Sequence, residues 1–222
     1  MSAVTSALRR LGIDRPSLIE TATESADCGF WLALLIAPDV SPQELAAFVD
    51  SWNQANLASI TDVMGSNGVN EDVRAICTDA GLEWWDGPRV VAAAKGAERA
   101  CRGFRGPRIA VDESVPEDFD EPCFETRAER DKSFVRCTKA LVTRMVEGDV
   151  DRVSLWTSTP KVIAACQAAI RNAGVESHLF DFCLPAAQRS LAERLLAEGQ
   201  TVRLCFVLDR PTIDRTMARL SR

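Results

Sequence analysis

Three sets of residues in this 222-residue chain have the types and spacing to do chemistry. The first is the triplet Thr157-Ser158-Thr159, followed by Pro160 and Lys161. It puts three hydroxyls at the start of a helical pattern, where unpaired amides and the helix dipole favour an anion. With Lys161, and with Arg210 from a later loop, it reads as a site for a small phosphorylated ligand. The loop contains no glycine, so it is neither a P-loop nor a dinucleotide fingerprint, and an ordinary N-cap accounts for Thr159 without any ligand. The second set is an acidic rim of Asp39, Asp181 and Asp209, each expected just beyond a strand. If their strands are neighbours they offer Mg²⁺ the oxygen ligands it requires. No other metal or cofactor is implied. The third set is Arg99, Arg102 and Arg105, part of a basic run from Arg89 to Arg108 opposed only by Glu98. Such a run fits the phosphates of a nucleic acid.

Nucleophilic catalysis has little to draw on. His178 is the single histidine, and Ser-His-Asp or Cys-His chemistry would have to use it, because no other side chain is an unshifted base near neutral pH. It falls in the apolar segment Ser177–Phe182, where a packed, hydrogen-bonded strand residue is expected. The adjacent Trp84 and Trp85 would point to opposite faces of a strand, one toward a core and one outward.

These residues are positioned by a repeated punctuation. Helical patterns end in Gly148, Gly174 and Gly199, and a strand-like run follows each: Val153–Leu155, Ser177–Phe182 and Val202–Leu208. Glycine after a helix accepts the left-handed conformation that stops it. Helix starts are marked by a cap and a proline. Ser41-Pro42-Gln43-Glu44 is a capping box directly after the apolar run Phe30–Ala37, and Thr159-Pro160, Pro185 and Pro211 repeat the arrangement. Helices are expected over Ser133–Glu147 and Lys161–Ala173, a strand over Ala58–Val63, and a helix capped by Asn70 and stopped at Gly81. Alternating strand and helix with short links implies an α/β fold: three layers, a mostly parallel Rossmann-like sheet, and helices on both faces. Residues 1–27 read as an amphipathic helical segment ahead of an α/β domain over 28–222. Residues 86–131 break the rhythm. There the basic run is followed by nine acids between Asp112 and Asp131, with only Arg127 and Arg130 among them. They read as a charged excursion bracketed by Pro107, Pro116 and Pro122.

Composition sets the outer limits. The chain is 46% hydrophobic and 26% charged with a formal net charge of −6, which argues against disorder and against coating nucleic acid or membrane by bulk charge. The longest apolar run is too short to span a bilayer. None of the eight cysteines lies closer than 14 residues to another, so no short-spaced zinc or redox motif exists. With no apolar signal segment at the N-terminus, the expectation is buried free thiols in a cytoplasmic protein.

The run Ala33-Leu34-Leu35-Ile36-Ala37-Pro38-Asp39, followed by Val40-Ser41-Pro42-Gln43-Glu44-Leu45, resembles the opening strand and helix of NYN domains, which are PIN-like ribonuclease folds. The segment from Asp131 to Phe182, with Glu147-Gly148-Asp149-Val150-Asp151 leading into the next strand, is similar to their later strand–helix–strand unit. Members of that family hold a divalent metal with clustered aspartates. On this chain the corresponding positions fall on Ala37, about Phe134, Ala140, Thr159 and Lys161, none of them acidic, with Asp39 and Asp131 nearby. The resemblance therefore implies a nuclease scaffold without its metal site and without two-metal hydrolysis. The expected function is a non-catalytic domain that binds a protein or RNA partner. The alternatives are an enzyme or sensor for a phosphorylated ligand, and an assembly subunit that uses residues 1–27 and the acidic segment as contact surfaces.

Overall fold

The computed structural model describes residues 18–37, 39–65, 71–85, 87–116 and 119–220. Eight parallel strands, most of them separated by helices, make the fold α/β, as the glycine and proline punctuation predicts. The strands are β1 (Trp31–Ile36), β2 (Thr61–Gly65), β3 (Glu83–Trp84), β4 (Arg89–Val91), β5 (Gly106–Asp112), β6 (Val150–Trp156), β7 (Phe180–Pro185) and β8 (Thr201–Leu208). The helices among the described residues are α1 (Leu18–Asp27), α2 (Pro42–Gln54), α3 (Glu71–Asp79), α4 (Ala97–Gly103), α5 (Arg127–Val146), α6 (Pro160–Asn172), α7 (Arg189–Ala197) and α8 (Arg210–Leu220). The strand order is β3-β2-β1-β8-β7-β6-β5-β4. Every neighbouring pair but one is consecutive in the chain, the exception being β1 beside β8. Among the described residues no helix is long and apolar enough to cross a membrane.

The chain divides into two compact units. The first comprises residues 1–84 and 206–222. In it, β1 to β3 pair in parallel register. The Ser41 box forms as read: its hydroxyl accepts from the Glu44 amide while the Glu44 carboxylate accepts from the Ser41 amide and hydroxyl. It launches α2, which buries Leu45, Phe48, Val49 and Trp52. The Trp52 indole N–H donates to the Thr61 hydroxyl at 3.1 Å, and that hydroxyl donates to the Leu57 carbonyl at 2.6 Å. These bonds tie α2 to the start of β2. That strand begins later than expected because Ala58–Ile60 winds into a 3-10 turn. Of the N-terminal segment, α1 buries Ile19, Ala22 and Ser25. Residues 1–17, the Asn70 cap and Pro38 lie outside the described residues.

The second unit, residues 85–205, holds β4 to β7 and most of β8. Partners in register share a sheet face, and the two faces differ sharply. One carries Ile109, Val111, Val153, Leu155, Phe180 and Phe182, all buried. The other carries Asp112, Ser154, Asp181, Cys183 and Arg203, which are also buried. Parallel strands covered on both sides normally read as continuous apolar runs. Here the second face is polar and must satisfy its groups internally.

Residues 86–131 are not a simple excursion. Their first half supplies β4, α4 and β5, ordinary parts of the sheet. Of the basic residues that suggested a loop, Lys95, Arg99, Arg102 and Arg105 are exposed, whereas Arg108 is half-buried. The acidic half is strapped down where the Lys95 amide donates to the Pro122 carbonyl and the Phe124 amide to the Ala93 carbonyl, both at 2.8 Å. Helix α5 starts well before the expected Ser133. A second capping box, Thr126 with Glu129, opens it, and those donors hold the Glu129 carboxyl below its ordinary range. Two other expectations shift. Pro185 ends β7 rather than opening a helix, and α7 begins at Arg189 after a 3-10 turn.

Candidate functional site

Two consecutive carboxylates at the end of β5 point opposite ways, as strand alternation requires. Asp112, on the polar face and 2% exposed, pairs with Arg89 from β4 and accepts from the Ser114 amide and hydroxyl, both at 2.7 Å. The Arg89 guanidinium also lies 5.4 Å from the centroid of the Trp156 ring at the end of β6. Glu113 turns the other way, toward the start of α6. There one of its oxygens accepts from the Thr157 hydroxyl at 2.5 Å and the Thr159 hydroxyl at 3.1 Å. The other accepts from the Ser158 amide and hydroxyl, both at 2.9 Å.

The triplet thus does bind an anion at a helix N-terminus, and the anion belongs to the protein. The physics that suggested a phosphate is correct in sign, and Glu113 satisfies it. Thr159 occupies the N-cap position of α6, yet its side chain makes no capping bond. It donates to Glu113 instead and accepts from Arg127 at 3.2 Å. Lys161 is exposed on the first turn. Arg210 belongs to the first unit, where its Nε stands 3.0 Å from Glu44.

Asp181 does not lie beyond the end of its strand, where the acidic rim requires it. The strand holding Asp181 starts at Phe180, because Ser177–Leu179 is a 3-10 turn. Asp181 therefore lies at the amino end of β7, fully buried. It accepts from Arg152 Nε at 3.2 Å, the Ser154 hydroxyl at 2.8 Å, Arg203 Nε at 3.1 Å and the Cys183 thiol at 3.3 Å. The buried arginine and the thiol saturate it, and burial together with this carboxylate pushes the Cys183 thiol well up. Asp39 is exposed on the turn before α2. Asp209 caps α8 through the Thr212 amide at 2.8 Å, which lowers its pKa. Among the described residues no three His, Cys, Asp or Glu side chains gather as a metal site.

The basic strip is partly neutralised. Arg102 pairs with Glu98 one turn back at 2.7 Å, and Arg105, just before β5, lies 3.4 Å from Asp149. Arg99 is exposed. His178 is exposed too, on the 3-10 turn rather than in the strand, with its Nδ1 3.2 Å from Glu176. Trp85 is buried under Arg108, whose guanidinium lies 4.3 Å from its ring centroid.

What sequence reasoning missed lies beside Glu113. A cavity of about 370 Å³ opens between the ends of β4 and β5 and the first turns of α5 and α6. Ala92, Ala93, Phe134 and Val162 supply apolar wall, while Glu113, Ser114, Arg127, Arg130, Asp131 and Thr159 supply polar groups. Arg127, Arg130, Asp131 and Phe134 share one helix face by their three- and four-residue spacing. The Thr126-x-x-Glu129 box was the available signal, since it places all four on the opening turns of a helix.

No protein-family model and no curated protein matches the chain. Among solved structures it is similar to proline utilization A from Bdellovibrio bacteriovorus, in the form inactivated by N-propargylglycine, at 13% identity and a TM-score of 0.53. The match covers 81% of this chain and 22% of that one. At this identity the likeness concerns the fold alone.

Proposed function

We propose that this is a non-catalytic α/β binding domain whose ligand is a small molecule bearing an anionic group, held in the cavity between α5 and α6. The observation that carries this reading is the pairing of Arg127 and Arg130 over an apolar wall at the carboxyl end of β5, the end at which parallel α/β sheets receive ligands. The volume lies within the range of small-molecule pockets. The non-catalytic part is supported by the state of the acids nearby. Asp112 and Glu113 already accept hydrogen bonds from Arg89, Ser114 and the hydroxyl triplet, which leaves neither poised to take a proton from a substrate. The NYN resemblance adds to this part of the proposal only by the acids it lacks at Ala37, Phe134, Ala140, Thr159 and Lys161. An RNA partner draws less support, because Arg102 and Arg105 are already committed to Glu98 and Asp149.

The test is thermal melting with inorganic phosphate, sugar phosphates, nucleotides, carboxylates and amino acids, followed by calorimetry. A ligand at a hundred times its dissociation constant stabilises by about 2.7 kcal/mol. At least one anion should raise the melting temperature, and Arg130→Ala should abolish the shift. If none of these compounds stabilises the protein, the reading is wrong.

A further inference from the structure

We infer that the cavity selects a zwitterion, specifically an amino carboxylate whose carboxylate meets Arg127 and Arg130 and whose ammonium meets Asp131. This deepens the proposed binding function and rests on it. The argument starts from charge. The cavity wall carries Arg127, Arg130, Glu113 and Asp131, two positive and two negative groups. A phosphate dianion would enter a cavity whose lining charges already balance and include two carboxylates, whereas a ligand with both charges can match each sign.

The second argument is how each group is spent. Glu113 accepts four hydrogen bonds at the start of α6. Asp131, half-buried on the same wall, makes no hydrogen bond or ion pair among the described residues. Its acceptor oxygens are therefore unspent, and an ammonium in the cavity can donate to them. On the cationic side, Arg130 spends Nε on the Phe124 carbonyl at 2.8 Å, and Arg127 spends one terminal nitrogen on Thr159. Those bonds orient both side chains and leave other guanidinium N–H groups for a carboxylate. Geometry completes the case. Arg127 and Asp131 are four residues apart on α5, and Phe134 lies one turn further on. Carboxylate, ammonium and an apolar side chain can therefore be read along a single helix face.

The experiment compares each of the twenty standard amino acids in thermal shift. Every one that stabilises is then compared by calorimetry with its 2-hydroxy acid, which keeps the carboxylate and side chain and loses the ammonium. The expected result is stabilisation by at least one amino acid and binding of its hydroxy analogue weaker by ~tenfold or more. Asp131→Asn should erase that preference, and Arg130→Ala should weaken both ligands. Equal affinity for the two compounds, or stabilisation only by phosphates and simple carboxylates, overturns the zwitterion and leaves the anion-binding reading standing. Stabilisation by no anion and no amino acid overturns both. The amino-acid and hydroxy-acid comparison needs no variant, so it decides even if Asp131→Asn fails to fold.

Discussion

Asp181 and Asp131 belong to the same unit of the molecule and have opposite surroundings. Asp181 is sealed in the polar face of the sheet with Arg152, Arg203, Ser154 and Cys183 around it. Asp131 stands at a cavity wall with no partner among the described residues. Glu113 falls between them, half-buried and held by neutral hydroxyls and an amide rather than by cations. The difference separates acids that hold the fold from an acid that is left available. A carboxylate deep in the sheet survives only when cations and donors consume all its acceptor capacity, whereas one at a solvent-reached wall can stay unspent for a ligand.

That contrast can be broken most severely at Asp181. Asp181→Ala removes the carboxylate that accepts from the buried Arg203 and from Arg152, and urea unfolding should show a loss of about 3–5 kcal/mol. Asp181→Asn combined with Arg203→Met should lose clearly less, because both charges leave together. A single variant as stable as the parent would mean that the buried pair does not hold the sheet. Glu113→Ala comes next. It strips the acceptor from the buried Thr157 hydroxyl and the Ser158 amide, at a cost of about 1–3 kcal/mol in the same assay.

Acid sensitivity is a smaller effect with a defined sign. Glu129 and Asp209 both titrate below their ordinary values, the first through the Thr126 hydroxyl and amide and the second through Thr212. A depressed folded value makes the contribution complete above the unfolded value, and it is lost as pH falls through the folded one. Melting temperatures should therefore be flat at neutral pH and fall on the acid side of the ordinary carboxylate range. Asp209→Asn should shallow that fall. The smallest effect sharpens the comparison most: Asp131→Asn should change stability by no more than about 0.5 kcal/mol. A large loss there would show that Asp131 serves the fold after all.

Much of the scaffold was legible because the devices that start and stop elements are local. Ser41 to Glu44 forms its box, and Gly174 and Gly199 adopt φ of +69° and +76° at helix ends, as the sequence pattern implies. The errors came where local chemistry had a non-local answer. Thr157-Ser158-Thr159 was recognisable as an anion site, but the anion is Glu113, 44 to 46 residues away in sequence. The strand carrying Asp181 was visible, while its start at Phe180, which puts Asp181 at the buried amino end, was not. The run of charges over residues 86–131 masked β4, β5 and the Thr126 box, because charge suggests solvent and strand edges tolerate it.

The order of strands and helices, the caps and the apolar face of each strand were determined by the sequence, because each depends on residues within a few positions of one another. The tertiary structure decided which polar groups meet. Hydrogen bonds and ion pairs across a parallel sheet join residues tens of positions apart, and their partners follow from strand order and register. Those same two factors closed Asp181 against Arg203, filled the α6 terminus with Glu113, and left the Arg127–Asp131 wall open.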